Sequence, residues 1–217
     1  MEKAWAAIDI GTNSVRLLIR KKAGQGWKEE KKVCITQLGQ GLSREKHLCQ
    51  EAIARTEDAV LAFAQYAVAQ GAQRPIWCYA TSAARQADNG KAFLQRLSDS
   101  GWVMAELLSG EEEAKAAYLG CRAKGRPVLD VGGGSTELTI EKDGVLEGRS
   151  IPLGCVTLRE KFLNHDPMQD NEATALLDYC KEQTCVLAGK ALLEREKEMV
   201  AVGGTATQLA MLELGLP

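Results

Sequence analysis

The stretch Val128-Leu129-Asp130-Val131-Gly132-Gly133-Gly134-Ser135-Thr136-Glu137-Leu138-Thr139-Ile140 constrains this chain more than any other. An apolar run ends in a carboxylate, passes through consecutive glycines and a hydroxyl pair, and resumes as an alternating run. That pattern predicts two strands joined by a tight turn. Glycines at Gly132, Gly133 and Gly134 remove every Cβ from the turn, so backbone N–H groups can converge on an anion. Asp130 enters the turn from a buried strand, where a carboxylate is costly unless it meets a cation. An ordinary glycine-rich hairpin is the plainer alternative for this segment taken alone.

A second stretch repeats the plan. Ala6-Ala7-Ile8-Asp9-Ile10-Gly11-Thr12-Asn13-Ser14-Val15-Arg16-Leu17-Leu18-Ile19 also runs from apolar strand to Asp, Gly, hydroxyl residues and a second strand. Placing Asp9 on Asp130 puts Gly11 on Gly132 and Ser14 on Ser135. Two phosphate hairpins, one early in each half, predict two related lobes facing each other across a cleft.

Composition narrows the function classes. Of 217 residues, 45% are hydrophobic and 26% charged, ordinary values for a soluble globular protein of one large or two small domains. A formal net charge of −2 gives no support to a general nucleic-acid or membrane-surface binder. Met1-Glu2-Lys3-Ala4-Trp5 leads straight towards a strand without a signal-peptide layout, and no apolar run spans a bilayer, so a cytoplasmic location is expected. Cys34, Cys49, Cys78, Cys121, Cys155, Cys180 and Cys185 include no C-x-x-C pair, and only His47 and His165 accompany them. These thiols read as small hydrophobes in a reducing compartment rather than a zinc site.

In chain order, a basic turn over Arg20–Gly26 precedes a strand around Lys31–Thr36 and a glycine-broken loop over Leu38–Leu42. Helical spacing then runs from Gln50 to Gln70 and stops at Gly71. Pro75–Ala80 reads as a buried strand that feeds a helix at Thr81-Ser82, with Arg85 one turn in, placed either to meet an anion or to make a surface salt bridge. A helix over Gly90–Leu97 and a strand over Val103–Leu108 follow. Ser109 fits an N-cap with Glu112 as its capping-box partner, which leaves Glu113, about 100° further round, to face the cleft. Ala123–Pro127 reads as the crossover between lobes, which gives domains 1–124 and 125–217. Beyond the hub hairpin, Asp143-Gly144 marks a turn and Val145–Pro152 a strand. Helices over Cys155–Leu163 and Glu172–Glu196 and a strand over Glu198–Val202 complete the second half. Gly203-Gly204-Thr205 then opens a final helix and offers a third set of backbone donors.

With these sites placed, the sequence resembles the exopolyphosphatase/guanosine pentaphosphate phosphatase (Ppx/GppA) family. The likeness rests on Ala7–Leu17, Ala80-Thr81-Ser82-Ala83-Ala84-Arg85-Gln86-Ala87, Ser109-Gly110-Glu111-Glu112-Glu113-Ala114, Asp130–Glu137, Ile151-Pro152-Leu153-Gly154 and Val202-Gly203-Gly204-Thr205-Ala206-Thr207, in family order. It implies an α/β fold of two ribonuclease-H-like lobes in the actin/Hsp70/sugar-kinase superfamily. It also implies hydrolysis of terminal phosphoanhydride bonds of polyphosphate or guanosine pentaphosphate with a divalent cation, usually magnesium. By motif position Glu113 resembles the carboxylate that directs water, and Glu137 one that assists it or the metal. Asp9 and Asp130 resemble metal-organising groups. Gly11, Thr12, Asn13 and Ser14 would grip phosphate on one side, and Gly132, Gly133, Gly134 and Ser135 on the other. Arg85 and Gly203-Gly204-Thr205 would contribute further phosphate contacts.

Family members continue beyond the Gly-Gly-Thr helix, so the second lobe is expected to be incomplete, with apolar surface and a strand edge left for a partner or a homodimer. That departure motivates an alternative in another class, a sensor that binds guanosine tetraphosphate or pentaphosphate without turnover. A sugar or acetate kinase of the same superfamily is disfavoured, since no separate acceptor-binding domain is visible.

Overall fold

The computed structural model describes residues 4–193 and 198–216. By packing, the chain forms two units, Met1–Leu108 and Ser109–Pro217, taken here one at a time. The fold is α/β, with one mixed sheet in each unit.

The first unit opens with a meander, β1 (Ala4–Ile10), β2 (Ser14–Ala23) and β3 (Gly26–Ile35). It continues through α1 (Leu42–Glu45), α2 (Gln50–Ala69), β4 (Ile76–Ala80), α3 (Ser82–Gln86), α4 (Gly90–Asp99) and β5 (Val103–Leu107). The strand order is β3-β2-β1-β4-β5, with β1, β4 and β5 parallel. In the β1–β2 register Ile10 lies opposite Val15 and Ile8 opposite Leu17. Strand alternation therefore gathers Ile8, Ile10, Val15, Leu17 and Ile19 on one face, all fully buried. Ile53, Val60 and Ala64 of α2 and Phe93 and Leu97 of α4 complete that core.

Helix α2 ends as its composition requires. Gly71 adopts φ 95°, and the amides of Gly71 and Ala72 return to the carbonyls of Val68 (2.9 Å) and Ala67 (3.0 Å), a Schellman closure. The expected basic turn at Arg20–Gly26 is shorter than its charge suggested. Strand β2 runs on through Ala23, because Arg20 pairs with Glu29 and Lys22 with Trp27 across the hairpin.

The second unit comprises α5 (Gly110–Cys121), β6 (Val128–Val131), β7 (Thr136–Lys142), β8 (Val145–Ile151), α6 (Cys155–Phe162), α7 (Asp170–Leu193), β9 (Val200–Val202) and α8 (Gly203–Glu213). Its sheet has the order β8-β7-β6-β9, with β6 and β9 parallel. The expected boundary at 124/125 moves to 108/109, because α5 packs on β7 and β8 and thus belongs to this unit. The stretch Ala123–Pro127 is accordingly a tight turn inside the second unit, with Lys124 and Gly125 at positive φ. The expected end of the long helix at Glu196 lies outside the described residues.

Alternation in β7 does not translate into one wet face. Thr136, Glu137, Leu138 and Thr139 are all buried. Leu138 packs with Ile151, Leu153 and Leu187, whereas Thr139 turns to α5, so both faces of this strand are covered. Leu209 and Leu212 on α8 and Leu214 at its C-cap are exposed, and β9 is the edge of its sheet among the described residues. No described helix is long and apolar enough to cross a membrane.

Glu172, at the start of α7, ties the preceding loop together. Its carboxylate accepts from the amides of Asn164 (2.8 Å) and Gln169 (3.0 Å) and lies 2.9 Å from Nδ1 of His165. The Gln169 amide, then Asn164 and His165, hold its pKa down at about 2, against an ordinary value of 4.5. A depressed carboxylate contributes stability above its unfolded pKa and loses it as pH falls towards the folded one. The Tm gap between wild type and Glu172→Gln should therefore be full above pH 4.5 and close towards pH 2. Thermal unfolding across that range measures it, and a gap that does not change with pH would remove the carboxylate from this role.

Candidate functional site

Both glycine turns are closed by the same hydrogen bond. The Gly11 amide donates to the Ser14 carbonyl at 3.0 Å, and the Gly132 amide donates to the Ser135 carbonyl at 3.0 Å. A Cβ at either glycine would stand 3.2 Å from that serine oxygen, closer than side chains normally approach. Gly11 and Gly132 thus shape their turns through these amides. Around the first turn, Thr12 and Ser14 are buried, and the Thr12 hydroxyl has no hydrogen-bond partner. Such a buried polar atom is costly unless a ligand or water meets it. Ser135 and Gly134 are buried at the second turn.

The carboxylates differ between the turns. In the first unit Asp9 lies directly opposite Arg16 across β1 and β2. In the second, Asp130 lies directly opposite Glu137 across β6 and β7, so two acids share one face of the sheet. Like charges at directly opposed cross-strand positions destabilise the pair unless a cation or a shared proton offsets them. Glu137 is only 2% exposed and accepts a hydrogen bond from the Ser150 hydroxyl at 2.7 Å.

Helix α5 lies over that same face. The Thr139 hydroxyl, two residues along β7 from Glu137, donates to the Ala114 carbonyl at 2.7 Å. Gly148 on β8 lets the helix approach, since a Cβ there would sit 2.9 Å from that of Ala114 and 3.0 Å from the Glu111 carbonyl. The first turn of α5 is fixed by a capping box. The Glu112 amide donates to the Ser109 hydroxyl (3.2 Å), and the Ser109 amide to the Glu112 carboxylate (2.8 Å). These bonds lower the Glu112 pKa and occupy its carboxylate. Glu113, half-buried beside buried Ala114, is carried by a helix seated on the strands that bear Asp130 and Glu137.

Gly203 joins this group. It starts α8 at φ 90°, and a Cβ there would lie 2.5 Å from Oδ1 of Asp130 and 2.7 Å from the Val131 carbonyl. Only glycine tolerates both the dihedral and the approach. The structure thus brings Asp130, Glu137, Gly132–Ser135, the α5 helix and Gly203-Gly204-Thr205 into one unit. Asp9, Gly11–Ser14 and Arg85 belong to the other. Arg85 donates to the Leu108 carbonyl at 2.8 Å, which anchors its guanidinium at the end of β5. Among the described residues, no three His, Cys, Asp or Glu side chains form a ready-made metal cage. Burial, reinforced by the Asp9 charge, raises the pKa of the Cys78 thiol, which argues against a nucleophilic cysteine there.

A family model described as the Ppx/GppA phosphatase family matches residues 21–214. The chain belongs to that family. Exopolyphosphatase 2 of Mycobacterium tuberculosis is 34% identical over 95% of this chain and 70% of that protein. A guanosine-5'-triphosphate,3'-diphosphate pyrophosphatase of Photobacterium profundum is 29% identical over 98% of the chain and 44% of its own length. Among solved structures, the Aquifex aeolicus Ppx/GppA member superposes with a TM-score of 0.75 at 28% identity, over 99% of this chain and 71% of that one. A Cytophaga hutchinsonii exopolyphosphatase, at 23% identity and a TM-score of 0.87 over 98% of this chain and 70% of that one, supports the same two-lobed α/β fold of the Ppx/GppA family.

Ser150 and Thr139 were not among the residues singled out in the sequence. A signal for Ser150 existed: the Asp143-Gly144 turn sets Lys142 opposite Val145, and counting back places Ser150 opposite Glu137. Thr139→Val should loosen α5, because it removes a buried hydroxyl donor worth about 1 kcal/mol. Urea unfolding with amide exchange across Gly110–Ala114 tests this, and unchanged protection there would show that the helix is held by other contacts.

Proposed function

We propose that this chain hydrolyses terminal phosphoanhydride bonds of inorganic polyphosphate or guanosine pentaphosphate. The observation that carries the proposal is the repeated aspartate–glycine turn, closed by the same hydrogen bond in both units of a Ppx/GppA family member. Relatives bear the names of both activities, so either substrate fits the common reacting group.

The roles are those that family motif position implies, and the chemistry of the residues is compatible with them. Phosphoryl transfer to water needs positioned donors, neutralised charge and an in-line water, with no covalent step. Hydroxyls of Thr12, Ser14 and Ser135, the Asn13 side chain and the turns at Gly11–Asn13 and Gly132–Gly134 bind phosphate oxygens. Arg85 and the start of α8 at Gly203-Gly204-Thr205 add positive charge and donors. Glu113 accepts a proton from the attacking water, with Glu137 orienting its neighbours.

A divalent cation fits the second turn best. Magnesium binds through one or two carboxylates with waters and substrate phosphates rather than a full protein cage. Asp130 and Glu137 supply that pair, whereas Asp9 already faces Arg16 and is suited to an outer, water-mediated contact. When bound, the ion would withdraw charge from the phosphoryl oxygens. All seven cysteines are free thiols, which suits a reducing cytoplasmic setting.

Phosphate release from polyphosphate and from guanosine pentaphosphate, each with magnesium, is the test. Glu113→Gln should lose roughly 10²-fold or more in kcat. Full activity in that variant would remove Glu113 from the mechanism. Tight guanosine tetraphosphate binding with no release by the wild type would mark the chain as a sensor instead.

A further inference from the structure

We propose that Gly39 and Gly154, neither of which belongs to either phosphate turn, are positioning residues that hold the two phosphate turns in shape. The proposal rests on the reading of those turns as phosphate cradles. Each turn receives a second layer of backbone bonds from the segment that follows the third strand of its meander. In the first unit the amides of Thr36 and Gln37 donate to the Asn13 carbonyl (3.1 and 3.0 Å), and the Gly39 amide to the Thr12 carbonyl (2.9 Å). In the second, the Cys155 amide donates to the Gly132 carbonyl (3.1 Å), and the Val156 amide to the Gly133 carbonyl (2.8 Å). The superposition that sets Asp9 on Asp130 also sets Thr12 on Gly133. The repeat therefore extends past the hairpin to include its buttress.

Both buttresses depend on a missing Cβ. At Gly39 it would overlap Cγ2 of Thr12, while its other neighbours, Thr12 O and Cβ, are 3.4 and 3.6 Å away, ordinary contact distances. At Gly154 it would collide with the Gly133 carbonyl and the Gly134 nitrogen, which are backbone. The two sites thus differ in one testable respect. A methyl group is the sole obstacle in the first unit, and shortening Thr12 removes it. No side-chain change relieves the second.

The experiment is a double-mutant cycle of Gly39→Ala with Thr12→Ser, beside Gly154→Ala. Gly26→Ala, whose added Cβ would lie 3.8 Å from the Ala23 carbonyl, is the control. The readouts are kcat and KM for phosphate release and the amide chemical shifts of residues 11–14 and 132–135. Gly39→Ala should move the 11–14 amides and lose about 10²-fold in kcat/KM, mainly in kcat, as expected for a reacting group displaced by an ångström. Adding Thr12→Ser should return the shifts and bring kcat/KM to within about threefold of Thr12→Ser alone. Gly154→Ala should move the 132–135 amides, and Thr12→Ser should not restore them. A Gly39→Ala chain that folds only when Thr12→Ser is present counts as restoration. The proposal fails if Gly39→Ala behaves like Gly26→Ala, or if Thr12→Ser restores neither shifts nor folding. A wild type that releases no phosphate overturns the hydrolase reading, and the amide shifts then decide this proposal by themselves.

Discussion

One backbone hydrogen bond, from a glycine amide to the carbonyl of a serine three residues on, sets the form of both turns. It fixes where each hairpin reverses, and through the strand registers it fixes which side chains share a face. With Ile10 opposite Val15 and Val131 opposite Thr136, Asp9 and Asp130 each fall two positions before a closing glycine. In the first sheet the residue between aspartate and glycine, Ile10, is thereby turned into the core. A different turn length would invert every one of those side chains.

Around that constraint the second unit assembles a polar face under cover. Glu137 is buried, its carboxylate held by Ser150, and α5 lies over it through Thr139 and the space left by Gly148. Gly203 admits Asp130 to the start of α8. Each of these contacts positions a group that the apolar core alone would leave free, and each uses a small or hydroxyl-bearing residue where a larger one would block the approach.

Much of this was legible in the sequence, for identifiable reasons. The repeated Asp-x-Gly pattern, the Ser109 capping box and the Gly71 helix end are local signals, and local hydrogen bonds decide them. The helix limits at Gln50 and Gly90 follow from periodicity. The assignment of α5 to the second unit was not legible, because it depends on Gly148 and Thr139, which are distant in sequence. The burial of both faces of β7 escaped alternation for the same reason: cover arrives from α5 on one side and α7 on the other. Arg85 read equally as an anion contact or a surface ion pair, and neither reading anticipated its bond to the Leu108 carbonyl.

The opposed positions Arg16 and Glu137 carry a further consequence. The two hairpins share the closing hydrogen bond and the aspartate, yet one sets that aspartate opposite an arginine and the other opposite a second, buried carboxyl group. The halves of this molecule are therefore alike in how their turns close but not interchangeable in the charge that each aspartate meets.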